Sequence, residues 1–91
     1  ILGPSRELVL QIHSVLQELI RLAQLDLRTM VLVGGDGVEE QFVQLATNPD
    51  IMVATPGRLM HVCVETDLRF TSVQFVVFDE ADRLAEDPVM M

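Results

Sequence analysis

The sequence contains no lysine. Its six basic residues are all arginines, set against fourteen acidic ones, and the net charge is −8. So acidic a chain does not coat nucleic acid over a broad surface, since that role belongs to basic faces. It does leave room for a few placed arginines and helix N-termini acting locally. The single cysteine, Cys63, rules out an internal disulfide. It stands among apolar residues and reads as a small core hydrophobe rather than a nucleophile or ligand, in keeping with a reducing compartment. No apolar run approaches the roughly 18 residues that cross a bilayer, so no membrane partner is expected. The N-terminus lacks a basic region followed by a long apolar segment, so no signal peptide is expected either. His13 and His61 have no ligand-spaced partners, which speaks against a histidine metal site. No repeat, linker or low-complexity tract is visible. What remains is a globular composition, 49% hydrophobic and 22% charged over 91 residues. That is one small domain or part of one, and neither end reads as a natural boundary, so a piece of a larger protein is expected.

A short apolar stub leads into Pro4 and Ser5, and a helical pattern follows. Leu8, Ile12, Val15, Leu16, Leu19 and Ala23 recur on one face, with Gln11, Ser14, Glu18 and Arg21 opposite. This predicts an amphipathic helix of about five turns with Ser5 as its N-cap and His13 exposed on it. "TMVLVGG", Thr29 to Gly35, predicts a strand ended by paired glycines. Asp36 then starts a second helix, with Glu39 at capping-box spacing. Val38, Phe42 and Leu45 form its buried stripe, Glu39 and Glu40 its solvated face, and Asn48-Pro49 ends it. "IMVA", Ile51 to Ala54, predicts a third strand-like run. Thr55 caps a third helix with Pro56 at its first position, where the missing N–H costs nothing. Leu59, Val62 and Cys63 continue that helix. A polar connection from Glu65 to Thr71 leads to "VQFVVFD", a further strand, and one more helix begins at or near Asp82. Met30, Met52 and Met60 read as core fillers.

Apolar strands alternating with helices predict an α/β fold, a parallel sheet with helices on both faces. Ligands of such sheets bind outside the carboxyl ends of the strands. Four places qualify: "PSRE" at Pro4, "GGDG" at Gly34, "TPGR" at Thr55 and "DEAD" at Asp79. Carboxylates at the tip of an apolar strand suit a hydrated Mg²⁺ beside phosphates, with a neighbouring acid to activate water. They also suit simple capping of the next helix, whose dipole favours negative charge. "TPGR" and "PSRE" each offer a hydroxyl, a proline, an arginine and a helix start, which favours anions. Each is equally readable as an ordinary strand–helix junction, and the glycine pair as a tight turn. Three anion-friendly sites on one edge suggest an extended polyanion, held through phosphates and sugars.

These motifs resemble the DEAD-box ATP-dependent RNA helicases. "DEAD" is intact at Asp79, Glu80, Ala81 and Asp82, and "TPGR" at Thr55 to Arg58. "PSREL" at Pro4 to Leu8 is similar to the family's "PTREL", and Gly34-Gly35 to its double glycine, in the same order and spacing. The resemblance covers essentially the whole chain. It implies a partial RecA-like domain: residues 1–91 as a fragment of the N-terminal RecA-like helicase domain, starting after the phosphate loop and ending just after the DEAD motif. It implies ATP and Mg²⁺ as cofactors, with Asp79 holding Mg²⁺ through water, Glu80 activating water, and Asp82 linking the ATP state to neighbouring motifs. Ser5, Arg6, Gly34, Gly35, Thr55, Gly57 and Arg58 are implied along an RNA backbone. A second RecA-like domain of the same protein is implied as partner. The wording "GGD…EEQF…NPDI…ATPGR" is similar to the nucleolar branch linked to ribosome biogenesis, implying the nucleus and nucleolus, with the cytoplasm as the alternative.

Departures accompany the match. Ser5 replaces a threonine but keeps the hydroxyl, Val9 replaces a usual alanine, and "AEDPVMM" replaces an aromatic continuation after "DEADRL". No phosphate loop with its lysine, adenine-reading segment or "SAT" motif occurs in these residues, so the chain alone is expected to be inactive. Two other readings stand beside this one. One is a non-enzymatic RNA- or protein-interaction module derived from a helicase. The other is a superfamily-two DNA helicase, because a 2′-OH contact is not legible in sequence.

Overall fold

The computed structural model describes residues 1–35, 37–66 and 70–89. In chain order the elements are α1 (Arg6–Leu22), β1 (Thr29–Leu32), α2 (Val38–Ala46), β2 (Ile51–Ala54), α3 (Pro56–Thr66) and α4 (Ala81–Leu84). β1 and β2 pair in parallel, Met30 opposite Met52 and Leu32 opposite Ala54. Leu2 adds single parallel bridges to Ala54 on one side and Phe78 on the other. Across the sheet the order is therefore β1, β2, the N-terminal stub and Phe78.

The alternation of a strand sends successive side chains to opposite faces. Val33 and Val53 meet Val9, Ile12 and Leu16 of α1 on one face. Met30, Leu32 and Ala54 meet Val62 and Leu59 of α3 and Phe42 and Leu45 of α2 on the other. Helices thus cover both faces, as the unbroken apolar strands predict.

Several local expectations need correction. The strand predicted over "VQFVVFD" is reduced to a bridge at Phe78. Its hydrogen bonds run from Leu2 N–H to the Val77 carbonyl (2.8 Å) and from Asp79 N–H to the Leu2 carbonyl (2.9 Å). The neighbouring stub offers few residues before Pro4, which has no N–H to give a ladder. Phe75 is left 85% exposed. On α1 the buried side chain is Val9, with Ile12 and Leu16 packed beside it, whereas Val15 and Leu19 are exposed. The apolar stripe is wider than the sheet face beneath it.

α2 begins at Val38, after Gly37, without a side-chain cap, and Asp36 lies outside the described residues. So do residues 67–69 of the predicted polar connection. Asn48 does end α2, in the left-handed region at φ 58°. α4 starts at Ala81, one residue before Asp82. Met60 is exposed rather than a core filler. His13 is half-buried, its Nε2 2.8 Å from Thr29 Oγ1, which pins α1 to the start of β1. Burial holds its imidazole below the usual histidine range.

The stub runs close under α1. A Cβ on the buried Gly3 would sit 3.1 Å from Val9 Cγ2. The larger residue at position 9 and the missing side chain at position 3 are complementary. Gly3→Ala is expected to destabilise the fold by about 1–3 kcal/mol, the usual range for overpacking. In a Val9→Ala background the same change should be nearly neutral. Thermal unfolding across this four-member cycle measures the coupling, and additive effects would show that the contact is slack.

Candidate functional site

The carboxyl edge of the sheet gathers the four predicted places. Ser5 is extended, and its Oγ accepts a hydrogen bond from Leu8 N–H at 3.2 Å, the expected N-cap. A hydroxyl engaged in this way still has a proton to donate. Arg6, the first residue of α1, does not stay at its own strand end. A Cβ on Gly35 would lie 3.6 Å from Arg6 Nε and 3.9 Å from its Cζ. The guanidinium therefore lies over the glycine turn after β1, although β2 separates β1 from the stub. Gly35 itself has φ +89°, a conformation that favours glycine. Gly34 and Gly57 differ: a Cβ at either would meet nothing within 4 Å. Among the described residues neither has a packing reason to lack a side chain.

Thr55 joins β2 to α3 through its backbone. Its N–H donates to the Leu32 carbonyl and its own carbonyl accepts from Leu59 N–H, both at 3.0 Å. Pro56 is buried at the first position of α3. Arg58, in the first turn of α3, is half-buried and donates from Nη1 to Gln41 Oε1 at 3.3 Å. Gln41 in turn donates from Nε2 to the Val33 carbonyl at 3.1 Å. "PSRE", the glycine turn and "TPGR" are thereby drawn into one patch.

The acidic cluster sits beyond the stub on the same edge. Asp79 Oδ1 accepts from Glu80 N–H at 3.0 Å, and Asp79 borders a groove with Ile1 and Leu8. Glu80 precedes α4 in the left-handed region, φ 51° and ψ 55°, and its side chain makes no cap bond. Its Oε1 lies 3.5 Å from Arg83 Nη1, an exposed pair. Asp82 lies in the first turn of α4, where the helix dipole suits it. Capping thus accounts for Asp82 but not for the Glu80 carboxylate. All three acids are exposed. Among the described residues no three His, Cys, Asp or Glu side chains converge as a direct metal cage. Exposed hard oxygens of this kind fit a cation that keeps most of its water, as Mg²⁺ does.

A family model described as DEAD/DEAH box helicase matches residues 1–90. The chain belongs to the DEAD/DEAH box helicase family. It is 58% identical over 86 residues to ATP-dependent RNA helicase DBP10 of Phaeosphaeria nodorum, covering 94% of this chain and 10% of that protein. It is 54% identical to ATP-dependent RNA helicase ddx54 of Dictyostelium discoideum, covering 94% of this chain and 8% of that protein. The chain thus spans about a tenth of the length of these curated relatives. The crystal structure of the yeast DEAD-box splicing factor Prp28 superposes with a TM-score of 0.85 at 36% identity, over 93% of this chain and 20% of that one. The fold is accordingly RecA-like.

Within this DEAD-box chain, sequence reasoning passed over Gln41. Its signal was its phase: Val38, Gln41, Phe42 and Leu45 follow the spacing of one buried helix face. A polar residue on that face needs a partner, and Gln41 has two. Cys63 is half-buried and burial pushes its thiol up, which suits the inert reading.

Proposed function

We propose that residues 1–91 form part of the N-terminal RecA-like domain of an ATP-dependent RNA helicase of nucleolar ribosome biogenesis, with a second RecA-like domain completing it. The observation that carries this reading is the patch in which Arg6 lies over Gly35 while Gln41 ties Arg58 to the end of β1, on the same edge as Asp79 and Glu80. Gly34 and Gly57 leave backbone uncovered there, so a sugar–phosphate chain can approach closely. Ser5 and Thr55 supply hydroxyls, and the starts of α1 and α3 supply N–H groups and dipoles that favour phosphate. Arg6 and Arg58 supply charge. Such contacts hold a strand without reading its bases.

At the acidic end Asp79 would hold Mg²⁺ through water, Glu80 would take a proton from the attacking water, and Asp82 would relate that site to the neighbouring motifs. The nucleotide and its metal supply the phosphoryl-transfer chemistry when bound, and the chain's residues position them and move the proton. The names of the curated relatives, ATP-dependent RNA helicases, support this reading over a DNA helicase or a non-enzymatic module.

The experiment is phosphate release by the full-length protein with Mg²⁺–ATP, with and without single-stranded RNA or DNA of one sequence, together with separation of a short RNA duplex. Turnover stimulated by RNA over DNA and duplex separation are expected. Equal stimulation by DNA would favour the DNA helicase, and RNA binding without turnover the interaction module.

A further inference from the structure

We propose that Gln41 is a positioning residue for RNA binding: it braces the Arg58 guanidinium against the carboxyl end of β1 before RNA arrives. This rests on the reading of the edge as an RNA track. Gln41 is 3% exposed and is the one buried polar side chain among the described residues. It occupies the apolar stripe of α2 between Val38 and Leu45, where a leucine would fill the space without desolvating an amide. Both ends of the amide are used. Nε2 donates to the Val33 carbonyl, just past the end of β1, and Oε1 accepts from Arg58 Nη1. One side chain therefore ties the strand leading to Gly34 to the first turn of α3.

The chemistry of the acceptor matters as much as its place. Arginine has a long, rotamer-rich side chain, and immobilising it on binding lowers affinity. A bond formed in the free protein removes part of that loss. An amide oxygen orients the guanidinium through a bond that brings no opposing charge of its own. A carboxylate at the same place would form an ion pair and compete with the phosphate.

The test uses the full-length protein and two unrelated single-stranded RNAs, one of them oligo-uridine. Gln41→Met keeps length and apolar packing but removes both hydrogen bonds. It is expected to weaken both RNAs about three- to tenfold, the scale of one arginine set loose, with ATP affinity in the absence of RNA unchanged. In an Arg58→Ala background the same change should matter by less than about twofold, because the residue being positioned is gone. An equal loss in both backgrounds would make Gln41 a packing residue and overturn the proposal. Should Gln41→Met fail to fold, Gln41→Glu decides. Its carboxylate should lower the slope of log affinity against log salt by about 0.7, the share of one phosphate contact on a single strand. A slope unchanged in Gln41→Glu also overturns the proposal. If Arg58→Ala itself leaves RNA affinity intact, the RNA track fails, and the role of Gln41 with it. If Arg58→Ala weakens binding and only the coupling is missing, the track stands and Gln41 alone is refuted.

Discussion

Glu80→Gln in the full-length protein is expected to lower ATP turnover by about 10²–10⁴-fold, the usual contribution of a positioned general base. ATP affinity should stay close to that of the parent. Glutamine keeps the shape of the side chain and removes its proton acceptor, so the loss should appear in kcat rather than in binding. The local structure makes the change a clean one. The Glu80 side chain makes no cap bond to α4, so removing its charge deprives the helix of no cap. Its approach to Arg83 is exposed, and exposed ion pairs of this kind are worth about 0–1 kcal/mol at most. A fall in activity therefore cannot be attributed to a fall in stability, and thermal unfolding of the variant should match that of the parent. Asp79→Asn supplies the contrast. Asp79 anchors the edge by donating its N–H to the Leu2 carbonyl, its Oδ1 accepts from Glu80 N–H, and the residue borders the groove along α1. Its loss should raise the Mg²⁺ concentration needed for half-maximal turnover, which Glu80→Gln should leave alone. Near-normal kcat in Glu80→Gln would assign water activation to another residue.

The fold was legible in the sequence where local signals and burial agree. The unbroken apolar runs at Met30 to Val33 and Ile51 to Ala54 required cover on two faces, and the structure places α1 on one and α2 with α3 on the other. Ser5, Pro56 and Asn48 mark helix ends where capping and backbone rules put them. Legibility failed where the answer depends on what lies alongside. Val76 and Val77 are as apolar as the residues of β1, yet a strand is defined by its neighbour, and the stub beside them reaches only to Leu2. Val15 and Leu19 match the helical period, yet the narrow sheet under α1 does not reach them.

The site shows the same division. The four strand ends could be named from the motifs and from the rule for parallel sheets. The side-chain paths joining them could not. Nothing in "PSRE" says that Arg6 will cross to Gly35, because the distance it spans is set by strand order. Gln41 gave a readable sign, a polar residue in apolar phase, but its two partners lie 8 and 17 positions away.

Arg6→Ala and Arg58→Ala are each expected to weaken RNA binding by the full-length protein about tenfold, since a charge-assisted hydrogen bond is worth about 1.5–3 kcal/mol before compensation. The loss should be similar for unrelated sequences, because phosphate contacts carry no base information. Each change should also flatten the dependence of log affinity on log salt by about 0.7. The share is visible because the described edge has few cations, in a chain with six arginines, no lysine and a net charge of −8. Arg6 lies over the glycine turn, whereas Arg58 is tied to the end of β1 through Gln41, and this separates their side effects. Arg6 is exposed and lies against Gly35, so its removal opens no buried space and should lower the melting temperature less than removal of Arg58. Arg58 is half-buried and bonded to Gln41, so its removal leaves a buried amide oxygen without that donor and should lower the melting temperature modestly. A merely architectural pair of arginines predicts the reverse pattern: both variants melt lower, and the salt slope keeps the parent value. Salt titrations of both variants on two RNA sequences, beside their melting curves, distinguish the two cases. An unchanged slope in both would remove the RNA track from this edge and leave the acidic cluster as its functional feature.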